Sequence, residues 1–325
     1  MKYITFIFFF VSQLAVAQKT IKNEPLTSTY SIVARDPETG NLGVAVQSHW
    51  FSVGTNVSWA EAGVGAVATQ SLTNPAFGQR GLELMKSGLT AEQTLEYLLE
   101  NDEGRAYRQV AIIDKNGNVA AHTGDLCIAE AGHIEGSNFS VQANLMEKNT
   151  VWKAMSKAYT NADGPLAERL LESLKAAQNE GGDIRGKQSA AILVVRAETT
   201  GNLWEDRLVD LRIEDHEDPI KEMGRLLKLH RAYEHMNKGD LAIEASDPEK
   251  ALKEYGAAEE LFPDHLEMKF WQAVSLANIG DMEKALPLFN TIFEKDEKWR
   301  EVIPRLVPNE ILVVSDEDLK KIKKQ

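Results

Sequence analysis

Two blocks of paired strands, each followed by helices, constrain this chain more than any other feature. Residues 30–35 and 42–47 are β-rich runs joined by Asp36-Pro37-Glu38-Thr39-Gly40-Asn41, whose Asp-Pro and Gly-Asn pairs are turn chemistry, so a hairpin is predicted. A second pair is predicted at 54–59 and 63–70, rich in the Gly, Ala and Val that suit strands buried on both faces. Helices follow. Leu82, Leu84 and Met85 have helical spacing within 78–87, and Thr90-Ala91-Glu92-Gln93 is a capping box opening a helix through Leu99. The second block starts with 109–113 and 119–122 around Asn116-Gly117, another hairpin signal. A strand near 139–145, helices at 151–159 and 166–178, and a buried strand at 189–195 complete it. Blocks of this kind, without regular βαβ alternation, imply helices on largely antiparallel sheets. The expected class is α+β, a four-layer α-β-β-α sandwich.

Beyond residue 220 the pattern turns helical and repeats. Ser246-Asp247-Pro248-Glu249-Lys250-Ala251-Leu252 recurs as Gly280-Asp281-Met282-Glu283-Lys284-Ala285-Leu286, an offset of 34 residues that also relates Gly239 to Ala273 and Tyr255 to Phe289. This period, with its small and aromatic positions, is the tetratricopeptide signature. Two repeats are fewer than the roughly three that stand alone, so docking on the predicted helix 220–236 is expected. Residues 240–300 carry 14 acidic and 7 basic side chains, about half of the chain's net charge of -13. Such a balance has the wrong sign for neutralising phosphates, which excludes nucleic acid as a partner. A tetratricopeptide-like groove implies a protein or peptide ligand.

The amino terminus places Lys2 before an apolar run over 4–11, with Ala15-Val16-Ala17 as a cleavage site, so a signal peptide cut after Ala17 is predicted. The apolar run is far shorter than the ~20 residues a membrane span needs. The mature chain is therefore expected to be exported, periplasmic or extracellular, with no integral membrane segment.

Several chemistries find no support. Gly63-Val64-Gly65-Ala66-Val67-Ala68 matches G-x-G-x-x-A but runs on as a strand, against a nucleotide loop. The 7 histidines lack H-E-x-x-H spacing, there is no G-x-S-x-G elbow, and the single Cys127 can form neither an internal disulfide nor a CxxC motif. Neither a metal nor another cofactor is expected. Thr29 remains, at the start of the first buried strand. A threonine hydroxyl is a weak nucleophile unless a base takes its proton, and a free α-amine at the same residue is such a base. A β-branched residue entering a strand equally needs no catalytic explanation.

Long motifs then carry a resemblance: Thr29-Tyr30-Ser31-Ile32-Val33-Ala34-Arg35-Asp36, Leu42-Gly43-Val44-Ala45-Val46-Gln47-Ser48, Thr73-Asn74-Pro75, Ala121-His122-Thr123-Gly124, Ala131-Gly132-His133 and Gly181-Gly182-Asp183-Ile184-Arg185-Gly186-Lys187-Gln188-Ser189. Over about 27–235 the chain resembles the bacterial domain of unknown function 1028 family, itself similar to N-terminal nucleophile hydrolases. The resemblance implies that Thr29 is the nucleophile, with Asp183 and Ser189 as its catalytic partners. It further implies substrate-binding roles for Ser48, His49, Asn74, His122, Asn144 and Arg185, and an oxyanion hole near Gln70 and Ser71. Each position also fits a turn or a supporting hydrogen bond. The family pattern has Trp where this chain has Glu130, and Gly where it has Ala143.

The expected division is a signal peptide (1–17), a leader (18–28), a nucleophile-hydrolase-like domain (29–235), tetratricopeptide-like repeats (236–297) and a tail (298–325). Cleavage after Ala17 leaves residues 18–28 ahead of Thr29, so catalysis on a small-molecule or peptide amide needs a second cut at Ser28-Thr29. The rival expectation is a non-catalytic envelope binding or interaction protein.

Overall fold

The computed structural model describes residues 26–325; the predicted signal peptide and residues 18–25 of the predicted leader lie outside them. The strands are β1 (Leu26–Thr27), β2 (Thr29–Arg35), β3 (Leu42–Ser48), β4 (Ser58–Glu61), β5 (Gly65–Leu72), β6 (Arg108–Asp114), β7 (Val119–Thr123), β8 (Gly132–Gly136), β9 (Phe139–Ala143), β10 (Ser189–Val195) and β11 (Arg207–Ile213). The helices are α1 (Gly54–Val57), α2 (Ala76–Lys86), α3 (Ala91–Glu100), α4 (Val151–Asn161), α5 (Leu166–Asn179), α6 (Leu203–Asp206), α7 (Pro219–Glu244), α8 (Pro248–Leu261), α9 (Leu266–Asn278), α10 (Met282–Lys295), α11 (Lys298–Leu306) and α12 (Asp316–Lys324).

The fold is mixed α and β, with two antiparallel sheets and a C-terminal helical region. One sheet has the order β1-β5-β6-β7, with β4 also on β5, and the other runs β11-β10-β3-β2-β9-β8. Side-chain alternation sends Tyr30, Ile32 and Ala34 into a core with Met155, Leu170 and Leu174 of α4 and α5. Val33, of opposite parity, packs with Val44, Ala66, Ala68, Ala111 and Ile113 between the sheets. Val67, Val110 and Ile112 pack beneath α2 and α3 with Phe77 and Leu95. Coverage on both faces explains why residues 32–34, 42–46 and 190–195 are continuously apolar. Gly43 is needed because α5 comes so close: a Cβ there would lie 2.8 Å from Leu170 Cδ1.

Some elements differ from the expectations. Residues 54–57 form a helical turn, Val57 N donating to Val53 O, and β4 begins only at Ser58. Periodicity cannot separate a helix from a strand in so short an apolar run. Strands β8 and β11 were not anticipated: β11 is Arg-Leu-Val-Asp-Leu-Arg-Ile, an edge strand whose exposed face is charged.

In the helical region α8, α9 and α10 each pack against the preceding helix in sequence. Asp218, Asp247 and Asp281 cap α7, α8 and α10, each accepting a backbone N–H three residues on. Such a cap contributes about 1 kcal/mol. Gly239, a small position of the repeat, admits Tyr255; a Cβ there would be 2.4 Å from its ring. Ala273 and Phe289, one period on, share a single core. The division at 235/236 falls inside α7, which runs unbroken over 26 residues. Within the expected tail 298–325, Ile303, Leu306, Leu312 and Ile322 join the core of α9 and α10. No helix among the described residues is long and apolar enough to cross a membrane.

Candidate active site

Register places three hydroxyls in one row. Thr29 on β2 faces Ser48 on β3, and Ser48 faces Ser189 on β10. They share the parity of Val33, Val46 and Ala191, so the row lies on the face turned toward the other sheet. All three residues are fully buried.

The peptide before Thr29 is held tightly. Thr29 Oγ1 donates to Thr27 O at 2.8 Å, and Thr29 O accepts from Asn144 N at 3.0 Å and Gln70 Nε2 at 3.2 Å. The carbonyl oxygen of Ser28 accepts from the Ser48 hydroxyl and from Arg185 Nη2, the latter at 2.9 Å. Arg185 is fixed by Asp183, whose buried carboxylate accepts Nε at 3.0 Å, Nη2 at 2.7 Å and the backbone N–H groups of Arg185 and His49. Asp183 thus reaches the Ser28 carbonyl through Arg185. Upstream, Thr27 and Leu26 pair with Ser71 and Leu72 of β5, so the chain passes from one sheet to the other at Ser28. Ser71 has a left-handed φ of 71° and carries this junction through its backbone.

The remaining sequence candidates separate. Ser189 Oγ donates to Trp50 O and accepts Val53 N, which pins the turn after β3 without touching Thr29. His49 contributes its backbone N–H, and its ring is exposed. Asn74 Oδ1 accepts Ala76 N at the start of α2. His122 Nε2 bonds Arg105 O from a position opposite Val110, on the face away from the row.

Sequence reasoning missed a polar chain between the sheets. Ser31 Oγ donates to Gln70 Oε1 (2.6 Å), Gln70 Nε2 and Asn144 Nδ2 to Gln109 Oε1 (2.7 and 2.9 Å), and Gln109 Nε2 to Thr123 Oγ1 (2.9 Å). Gln142 Nε2 reaches Ser31 Oγ, and Thr123 Oγ1 bonds His133 Nδ1 at 2.8 Å. Burial holds His133 below the usual imidazole range, so the chain ends on a neutral ring near neutral pH. The available signal was a glutamine at an inward position of each of two buried strands, β6 and β9. On the other face, burial first and the Asp183 charge second push the Tyr30 phenol upward, and its hydroxyl donates to Gln178 Oε1. Thr27 Oγ1, Ser28 Oγ and Asn144 Oδ1 are buried without a hydrogen-bond partner. No three His, Cys, Asp or Glu side chains among the described residues form a metal-holding group.

This arrangement polarises one backbone carbonyl beside a hydroxyl. Against known proteins, the profile described as "Family of unknown function (DUF1028)" matches residues 29–223, its first matched residue being Thr29. The crystal structure of protein SPO2555 from Silicibacter pomeroyi, assigned to the same profile, superposes with a TM-score of 0.56 at 33% identity, covering 62% of this chain and 85% of that one. Anbu (ancestral beta-subunit) from Yersinia bercovieri superposes with a TM-score of 0.31 at 12% identity, over 67% of this chain and 97% of that one. No curated protein matches the chain.

Proposed function

Because the chain belongs to the family of unknown function DUF1028, whose fold it shares, we propose that its two sheets and flanking helices are the four-layer N-terminal nucleophile hydrolase sandwich, and that it is an exported amidohydrolase acting through Thr29 once residues ahead of it are removed. The observation that carries this reading is the Ser28 carbonyl oxygen, which receives the Ser48 hydroxyl and the Arg185 guanidinium directly before the proposed nucleophile. Two such donors suit an oxygen that turns anionic.

In the maturation step Thr29 Oγ1 adds to the Ser28 carbonyl carbon. The Ser28–Thr29 C–N bond breaks and the hydroxyl proton passes to the Thr29 nitrogen, leaving Ser28 esterified to Oγ1. Water hydrolyses that ester, which releases a Ser28 carboxylate and restores the hydroxyl. The freed α-amine, with a reference pKa of about 7.7–8.0, then takes the Oγ1 proton as the hydroxyl attacks a substrate amide carbon. It returns that proton to the leaving amine, and water resolves the acyl-enzyme. Departure of Ser28 leaves Ser48 and Arg185 free to hold a substrate carbonyl or carboxylate. The three unpartnered polar atoms support this reading, since each buried unpaired group costs about 1–3 kcal/mol and two of them leave with the leader. The substrate class is a small-peptide or non-peptidic amide, and the C-terminal helices are read as a tetratricopeptide-like module.

One observation favours the rival reading of a non-catalytic binding protein: Thr29 is wholly buried and its nitrogen is acylated by Ser28. Intact mass and N-terminal sequencing of the protein exported from its bacterial host separate the two. The hydrolase reading expects a chain beginning at Thr29, and a Thr29→Ala variant that retains the upstream residues. A stable, homogeneous wild-type chain still carrying residues 18–28 refutes it.

A further inference from the structure

A second site lies away from the sheets. Residues of α7, α8, α9 and the segment after α11 line a cleft of about 490 Å³, within the range of small-ligand and side-chain pockets. Its charged lining is one-signed: Asp240, Glu244 and Glu267, with no lysine or arginine. Among the described residues none of the three carboxylates is in an ion pair. Two are held in place by neutral hydroxyls, Tyr255 donating to Asp240 at 2.6 Å and Tyr233 to Glu267 at 2.7 Å. Trp271 supplies an aromatic wall and Ile311 an apolar one.

An independent feature marks the same cleft. Ser275 lines it, is only 1% exposed, and its Oγ has no hydrogen-bond partner. Helical serines ordinarily bond back to the preceding turn. An unmet hydroxyl in the wall of a cleft is relieved by a donor or acceptor from outside the fold.

We propose that this cleft binds a basic peptide segment of a partner protein, seating one lysine or arginine between the carboxylates with its aliphatic stem along Trp271. A cation with a long apolar stem matches both halves of the lining, and indole faces attract such cations. Ser275 Oγ meets a backbone group of the same segment. This site is separate from Thr29 and does not depend on the hydrolase reading.

The test is fluorescence anisotropy with the mature chain and a fluorescein-labelled hexapeptide alternating lysine and leucine, beside a counterpart with glutamine for lysine. The lysine peptide is expected to bind saturably and the glutamine peptide not. Glu244→Lys weakens binding about tenfold, the scale of one charge-assisted contact, and Ser275→Ala weakens it severalfold. Glu283→Lys, on the exposed side of α10, serves as the control and leaves binding within about twofold, which separates the cleft from the general acidity of the region. Equal loss in Glu283→Lys and Glu244→Lys, equal binding of the two peptides, unchanged binding in Glu244→Lys and Ser275→Ala, or no saturable binding overturns the proposal.

Discussion

Asp183→Asn tests the proposed maturation most sharply, because it leaves Arg185, Ser48 and Thr29 unchanged and weakens what aims the guanidinium. Arg185 now meets Asp183 through Nε at 3.0 Å and Nη2 at 2.7 Å, and its Nη2 also reaches Ser28 O at 2.9 Å. A carboxamide loses the charge and presents an N–H₂ to one of those donors. The arginine then samples its rotamers freely, and ordering such a side chain costs about 1.5–2 kcal/mol. That cost reappears at the tetrahedral stage of Ser28–Thr29 cleavage, and at 1.36 kcal/mol per tenfold it slows the step roughly 10- to 30-fold. Arg185→Met removes the donor outright and slows it about 10²–10³-fold, the usual scale for losing one oxyanion contact. The assay is a time course of intact mass on freshly synthesised chains, with cooperative urea unfolding confirming that each variant is folded. The expected order is wild type, then Asp183→Asn, then Arg185→Met. Cleavage of folded Asp183→Asn at the wild-type rate refutes the role assigned to this pair.

Three further outcomes are expected. Gln109→Leu strips partners from Gln70, Asn144 and Thr123 at once, and should lower unfolding stability by about 3 kcal/mol in urea titration. For Asp102, burial raises the carboxyl pKa, but bonds from Arg108 and Gly104 N outweigh it and hold the group below the usual carboxylate range. A folded pKa below the unfolded one stabilises fully above the unfolded value, near pH 4, and that contribution drains away as pH falls through the folded value. Acid titration of stability below about pH 4 should therefore be steeper for wild type than for Asp102→Asn. Gly239→Val forces a side chain into Tyr255 and should destabilise the helical region by about 1–3 kcal/mol, read from melting of helical circular dichroism.

Local chemistry carried part of this fold into view. The Asp-Pro and Asn-Gly turns located the hairpins β2–β3 and β6–β7, and Thr90 with Gln93 does form the capping box. Strand β11 stayed hidden because an edge strand needs apolar residues on one face only, and its Arg207, Asp210 and Arg212 interrupt the apolar run. At the site, Thr29, Ser48 and Ser189 each stood out, but that they form one row depends on register, which sequence spacing does not specify. Asp183 and Arg185 were legible as candidates; that Arg185, held by Asp183, bonds the carbonyl of Ser28 is a tertiary fact. Asn74 and His122, found by the same motif reading, bond locally elsewhere.

The unbroken α7 has a mechanical consequence. At 1.5 Å per residue its 26 residues extend about 39 Å. Its first half packs on β11 and α5, and its last turns contribute Asp240 and Glu244 to the acidic cleft. With one continuous helix between them, sheets and C-terminal helices are expected to tumble together, and backbone NMR relaxation should return a single rotational correlation time for both. The helix is thus a strut between the acidic cleft and the strand that carries Thr29, setting the bearing of one from the other.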